Sequence, residues 1–480
     1  MEEAEPTPYT LHADAPSRPP PRALTLVLAV GIGIGSHFSK ESLAPAEPAL
    51  EHLGMNAIAY ALLCVAPILM GVATPLLWGA VWDRSHRWVV LLAPLGEGAG
   101  AALIALGLRL FVRAASPLAD SLILAGLCAS SVCKAGVAIA QFSLVGRACA
   151  DQPTLSFAVL VVAKHLVTIA AAWCVPLLTA SPPALEGVLY VSELSLLPHA
   201  LSALAAGLLF CLETHAPPPR VERHFTPHGH VFPRQRLRRV NELLAGLHAR
   251  GSRHARFLLR HSADRWPAHH KPFALVLLLL GGWRAFTVGT LHAYHSVRIQ
   301  LLVSTGLSSV DAGASCALSD AIAIAALPVL YVASTCIGLR LVLPLAPFLA
   351  VCVSALILGH LVSASPHVDS PPISRGSLLM LSMLELTVPI VPLALLPVNT
   401  DKLGSAFGAL EAIYVVVQMS ITLLFGVVRT FAEFPGVLGL MCGGFIISFI
   451  LSIPLMFHVQ TKEPSRAYLC SPCEEESISK

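Results

Sequence analysis

The side chains best equipped for chemistry are charged or amide groups standing inside runs that are otherwise apolar. Lys134 and Gln141 lie seven residues apart, and so on nearly the same face of a helix. Lys164 and His165 interrupt a second run, and a third carries Arg284, His292, Tyr294, His295 and Arg298. His292 and His295 are three apart and Tyr294 and Arg298 four apart, so each pair stacks along a helix. Ammonium and guanidinium groups hold carboxylates or other anions. Histidines titrate near neutral pH and can relay protons; the plainer alternative is a core histidine with satisfied hydrogen bonds. Lys134 and Lys164 would repel one another unless an anion or an acid lies between them. Asp320, Glu385 and Glu411 are the candidates for that acid, and Lys134 has the further option of snorkelling or pairing along its own helix. Two histidines at a spacing of three, with no third ligand, make a poor metal site, and no metal or other cofactor is expected.

The runs that carry these groups are long enough to cross a bilayer. With 55% hydrophobic residues, 12% charged residues and a mean hydropathy of +0.72, the chain is too apolar for a soluble domain. The expected spans are 23–44, 56–82, 88–113, 117–148, 154–180 and 188–212, then 272–300, 306–331, 338–363, 374–398, 403–429 and 435–458. Glycines 31, 33 and 35 in the first span allow a neighbouring helix to come close. His37, Lys40 and Glu41 follow at its far end within about one turn. Residues 1–22 are acidic and then Pro-rich, which predicts a disordered arm with no secretory leader, so that the first span is retained.

Residues 213–271 are strongly basic, with Arg234, Arg236, Arg238 and Arg239 among many arginines. That excess places this loop in the cytosol, and an even number of crossings then puts both termini there. Leu237, Val240, Leu243, Leu244 and Leu247 recur at helical spacing, as in an amphipathic helix lying on the inner leaflet; a solvated linker is the plainer alternative. The net charge of +3 is an orientation signal in such a chain, and no nucleic-acid partner is expected. His224, His228 and His230 fall in this loop and read as solvated. Of 12 cysteines, only Cys470 and Cys473 form a Cys-x-x-Cys, in a polar tail; structure or acylation accounts for that pair more simply than metal.

One turn between spans carries a recognisable pattern. Gly79-Ala-Val-Trp-Asp83-Arg84-Ser-His-Arg87-Trp resembles the signature between the second and third helices of the major facilitator superfamily. Gly79, Asp83, Arg84 and Arg87 stand where that family wants them, while His86 and Trp88 depart from it. The resemblance implies an all-α membrane fold of twelve helices in two pseudo-symmetric six-helix bundles, with the glycine allowing close packing and the charges acting as a conformational latch. The expected organisation is a cytosolic arm (1–22), a first bundle (23–212), a central loop (213–271), a second bundle (272–459) and a tail (460–480). Symmetry predicts a second copy after span 8. There, Gly338 and Arg340 survive, but Tyr331 replaces the leading glycine and Thr335 the Asp.

Within the superfamily, Pro389-Ile-Val-Pro392 through Pro397 and on to Lys402-Leu-Gly404-Ser-Ala-Phe-Gly408 is similar to the stretch joining helices 10 and 11 in the lysosomal dipeptide uniporter branch. The run Thr305-Gly-Leu-Ser-Ser-Val-Asp-Ala-Gly is similar in layout. The resemblance implies a secondary carrier of a small polar solute working by alternating access, with dipeptides or related amino-acid compounds moved by uniport. It further implies that Lys164 stands where the branch holds the peptide carboxylate, although the glutamate expected beside Lys134 is missing. Those lysines favour a solute with at least one carboxylate or other anionic group. The substrate-site candidates are Lys134, Gln141, Lys164, His165, His292, Tyr294, His295 and Glu411. Carriage of another organic anion or a sugar, with or without proton coupling, stays open. So does a sensor or scaffold that no longer transports. Partners implied are a small-molecule substrate and the lipid bilayer, with an accessory membrane subunit as a further option. A lysosomal or other endomembrane location follows from the resemblance alone, with the plasma membrane as alternative. No Walker loop, Gly-x-Ser-x-Gly turn or His-Glu-x-x-His helix is present, so no enzyme is expected.

Overall fold

In a computed structural model, residues 22–42, 46–47, 56–70, 72–113, 116–148, 153–180, 184–215, 273–363, 375–399 and 402–458 are described. The N-terminal arm, the basic central loop and the polar tail lie outside them. Among the described residues, those up to 215 and from 276 onward form one compact unit.

The helices are α1 (Arg22–Gly31), α2 (Ile34–Glu41), α3 (Ala57–Met70), α4 (Thr74–Arg113), α5 (Pro117–Ala148), α6 (Pro153–Ala180) and α7 (Ala184–His215). The second part of the chain gives α8 (Phe273–Ser304), α9 (Ser309–Ile337), α10 (Leu339–Ser363), α11 (Arg375–Thr387), α12 (Ile390–Asn399) and α13 (Leu403–His458). Among the described residues, ten segments are long and apolar enough to cross a membrane. Two of these are far too long for one crossing, since about 20 residues suffice.

Both break where the expected turns fall. In α4 the helix is interrupted at Ser85, inside the Asp83 motif. In α13 it is interrupted at Glu433 (φ 51°); Pro435, just beyond, has no N–H with which to continue a helix from below. Divided at these breaks, with α1–α2 as span 1, α3 and the first part of α4 as span 2, and α11–α12 as span 10, the described helices fall into twelve segments, numbered as spans 1–12. It is a multi-pass integral membrane protein. Its outer surface is apolar, with Leu118, Leu166, Trp173, Leu197, Val329, Phe348 and Phe457 exposed, an arrangement that only a hydrocarbon solvent leaves without penalty.

Contacts between the halves show the internal symmetry. The start of α13 (span 11) packs on α3 and α4 (span 2), and α9 (span 8) packs on α6 (span 5). A two-fold exchange of spans n and n+6 turns the first pair into the second. Small residues make both approaches. A Cβ at Gly79 would lie 2.5 Å from the Gly404 carbonyl oxygen, and one at Gly313 would lie 2.5 Å from that of Ala172.

Candidate functional site

The site begins at the break in span 1. Ile32 and Gly33 interrupt the helix, and the Gln141 amide fills the space above Gly33, donating to the carbonyl of Ala29 at 3.0 Å. Gly35 N–H donates to the Ser202 hydroxyl at 2.9 Å. Anchored in this way, α2 carries Lys40 and Glu41 into the interior between the two halves. Glu41 is 2% exposed. Its carboxylate takes His295 Nε2 at 2.6 Å and lies 3.7 Å from Lys164 Nζ.

Around that carboxylate the network widens. His295 Nδ1 faces Glu385 at 3.2 Å. Lys164 Nζ donates to His292 Nε2 at 2.7 Å. The other nitrogen of His292 contacts the Tyr414 hydroxyl and lies 3.3 Å from Lys40 Nζ. Spans 1 and 5 of the first half and spans 7, 10 and 11 of the second therefore meet in one polar cluster. The spacing of three between His292 and His295 gives both rings one face of α8. Lys164 and His165 point differently: His165 is buried with Nδ1 at the Val161 carbonyl, 2.9 Å away, and its Nε2 has no partner.

The acids that answer the two lysines are not the three that the sequence offered. Glu97, buried on span 3, is the acid whose charge bears most strongly on Lys134, with no ion pair between them within 4 Å among the described residues. Glu41 answers Lys164. Of the three expected acids, Asp320 is bidentate to Arg298 at 2.6 and 3.0 Å. Glu411 is bonded to Arg284 at 2.7 Å, and the Arg284 guanidinium also lies 4.6 Å from the centre of the Tyr414 ring. Glu385 is taken up by His295. A charge at this depth is stable only with a partner or water, and the interior supplies nearly one acid for each base.

Not every candidate side chain joins the cluster. Gln141 is spent on the break in span 1. Tyr294 points away from the centre and its buried hydroxyl has no partner. With Arg298, Cys316, Ser319, Ser382 and Glu385 it lines a void of about 10 Å3, room for about one water. Glu97 and Tyr414 were absent from the sequence candidates. Glu97 had a signal, an acid inside an apolar run; Tyr414 had none, because a tyrosine in such a run is ordinary.

At one face of the membrane, the Asp83 carboxylate accepts Gly404 N–H at 3.0 Å and Ser405 N–H at 2.9 Å, as well as the Ser405 hydroxyl. These are free donors of the first turn of α13, where the helix dipole also favours a negative charge. Arg84 is exposed and Arg87 half-buried, and neither makes an ion pair among the described residues. In the mirror position, Gly338 has φ 87° and separates α9 from α10, a conformation that favours glycine. At the opposite face, Arg429 pairs with Glu47, and the Tyr60 hydroxyl donates to the Ser296 carbonyl at 3.0 Å. The two halves touch at both faces, so the interior cluster is occluded.

Twelve spans in two halves related by exchange of n and n+6, closed over buried charges, define the major facilitator fold, and this chain has it. Solved structures with the same fold include the human organic anion transporter MFSD10 (TETRAN), at TM-score 0.57 and 18% identity over 90% of this chain and 100% of that one. A bacterial homologue of the human drug peptide transporters PepT1 and PepT2 superposes at TM-score 0.58 and 13% identity, over 91% and 99% of the two chains. The E. coli fucose:proton symporter FucP does so at TM-score 0.53 and 17% identity, over 92% and 99%. No protein-family model and no curated protein matches the sequence.

Proposed function

We propose that this protein is a secondary carrier that moves a small zwitterionic solute by alternating access, with dipeptides or related amino-acid compounds as its substrates. The observation that carries this is the buried cluster of Lys40, Glu41, Lys164, His292, His295 and Glu385, contributed by both halves. A carrier needs its binding groups divided between the parts that rock against each other. Because acids and bases nearly balance, a solute bearing both charges exchanges partners with the cluster without leaving a buried charge bare. Its carboxylate would take Lys164 and its amine Glu41. The neighbours in fold handle organic anions, peptides and fucose. The basic central loop supports a cytosolic Asp83 face, and the dipeptide-branch resemblance supports a lysosomal or related endomembrane.

The test is thermal stabilisation of the purified protein by dipeptides, amino acids, sugars and dicarboxylates, followed by flux of the stabilising compound into proteoliposomes. Dipeptides well above their dissociation constant should add about 2–4 kcal/mol of stability by mass action. Stabilisation by dicarboxylates alone would transfer the site to an organic anion, a reading favoured by the two ammonium groups, Lys40 and Lys164, that flank His292.

Alternating access also requires the Asp83 contact to open. Asp83→Asn keeps one acceptor and loses the charge. It is expected to loosen that face about tenfold, the low end for charge-assisted bonds because Asp83 is exposed. Spin labels at Trp88→Cys and Arg340→Cys, both exposed on that face, would show a larger far-separated population. An unchanged distance distribution would remove Asp83 from the latch.

A further inference from the structure

Geometry sets the proton count of the chain Glu41, His295 and Glu385. His295 Nε2 lies 2.6 Å from a Glu41 oxygen and Nδ1 lies 3.2 Å from a Glu385 oxygen. A carboxylate only accepts, whereas a neutral imidazole has one N–H and one bare nitrogen. Holding both contacts therefore takes one proton beyond a neutral histidine and two carboxylates. Without it, one of the two contacts becomes acceptor against acceptor.

The surroundings do not provide a substitute donor for both acids. From span 1, Lys40 lies beside His292. From span 5, Lys164 reaches Glu41 only at 3.7 Å, and His165 is bonded to its own helix. On span 7, Arg298 is taken bidentate by Asp320 of span 8, and His292 is bonded to Lys164 and to Tyr414 of span 11. Cys316 of span 8 and the unpartnered Tyr294 hydroxyl border the water-sized void beside Glu385. That void is a place for the proton to leave.

We propose that Glu41, His295 and Glu385 form a proton-binding site, and that the bound proton fastens span 1 of the first half to spans 7 and 10 of the second on the face opposite Asp83. One proton is bound for each closure and released for each opening. On release the N–H bond at a His295 ring nitrogen breaks, the electron pair stays on nitrogen and the proton passes to water. In the carrier proposed above, on which this use of the site rests, solute movement is linked to protons and departs from the uniport that the resemblance implies.

The test needs no substrate. The full-length chain, with native cysteines replaced, is placed in lipid nanodiscs with spin labels at Leu118→Cys and Val362→Cys. Both positions are exposed, at the ends of α5 and α10 on this face. Raising pH from about 5 to about 10, a range wide enough for an imidazole flanked by two carboxylates, is expected to convert a short separation into a long one. His295→Ala should be long at both pH values. Glu385→Gln should be short at both, because the carboxamide donates to a bare Nδ1 and leaves Nε2–H for Glu41. A packing role would loosen both variants alike. A separation indifferent to pH, or a Glu385→Gln variant that opens, overturns the proposal. Dipeptide flux without the pH response removes this site and leaves the carrier standing; the pH response without flux does the reverse.

Discussion

Lys164→Ala is expected to lower dipeptide flux into proteoliposomes about 10- to 100-fold and to remove the thermal stabilisation given by dipeptide. Lys164 sits between Glu41 and His292, 3.7 and 2.7 Å away, and is the cation of the first half that faces the second most directly. A hydrogen bond to a charged group is worth about 1.5–3 kcal/mol, which sets that range. Alanine also removes the cation 3.7 Å from Glu41, leaving that buried carboxylate to His295. Lys164→Arg should retain part of the flux, since it keeps the charge but replaces a point donor by a planar fork. Undiminished flux in the alanine variant would place the solute elsewhere in the protein. Thermal unfolding without ligand separates a binding defect from a folding defect.

Arg298→Ala should have the largest effect on stability, about 3–5 kcal/mol, because it strands a buried carboxylate. Asp320 is 0% exposed and both of its oxygens are taken by Arg298. The pair joins spans 7 and 8 within one half and does not cross between halves. Its loss should therefore lower the unfolding temperature with or without dipeptide, while affinity in the surviving folded protein changes little. Replacing both partners by apolar residues of similar volume, Arg298→Met with Asp320→Leu, should restore most of the stability, because no bare charge remains. A double variant as unstable as the single one would show that Arg298 acts through contacts other than Asp320, such as the void it shares with Tyr294.

Much of the architecture was legible without coordinates. The boundaries near residues 82–88 and 429–435 fall where α4 and α13 break, because a Pro residue and a polar Asp-Arg-Ser turn stop a helix whatever surrounds them. Gly79 announced a close approach, and the structure supplies the neighbour, Gly404. The interior was legible only as a set of ionisable residues at membrane depth. Lys134 implied an acid within reach, and the charge that bears most strongly on it is that of Glu97 on span 3, while Asp320, Glu385 and Glu411 are each committed to another base. Gln141 and Tyr294 looked like members of the cluster because seven- and four-residue spacings put them near it, yet helix rotation turns one to the span 1 break and the other to a void.

By itself, then, the sequence determined the all-helical class, the membrane as solvent, the breaks near residues 82–88 and 429–435, the glycine-lined turn at Asp83 and the presence of charges in the interior. Each of these depends on summed local hydropathy or on what a single residue's backbone permits. Which acid answers which base, and that Glu41, His295 and Glu385 share one bridge, only the tertiary structure decided. Those pairings depend on the rotation of spans 1, 7 and 10 about their own axes and on how the two halves meet, and no local pattern in the chain encodes either.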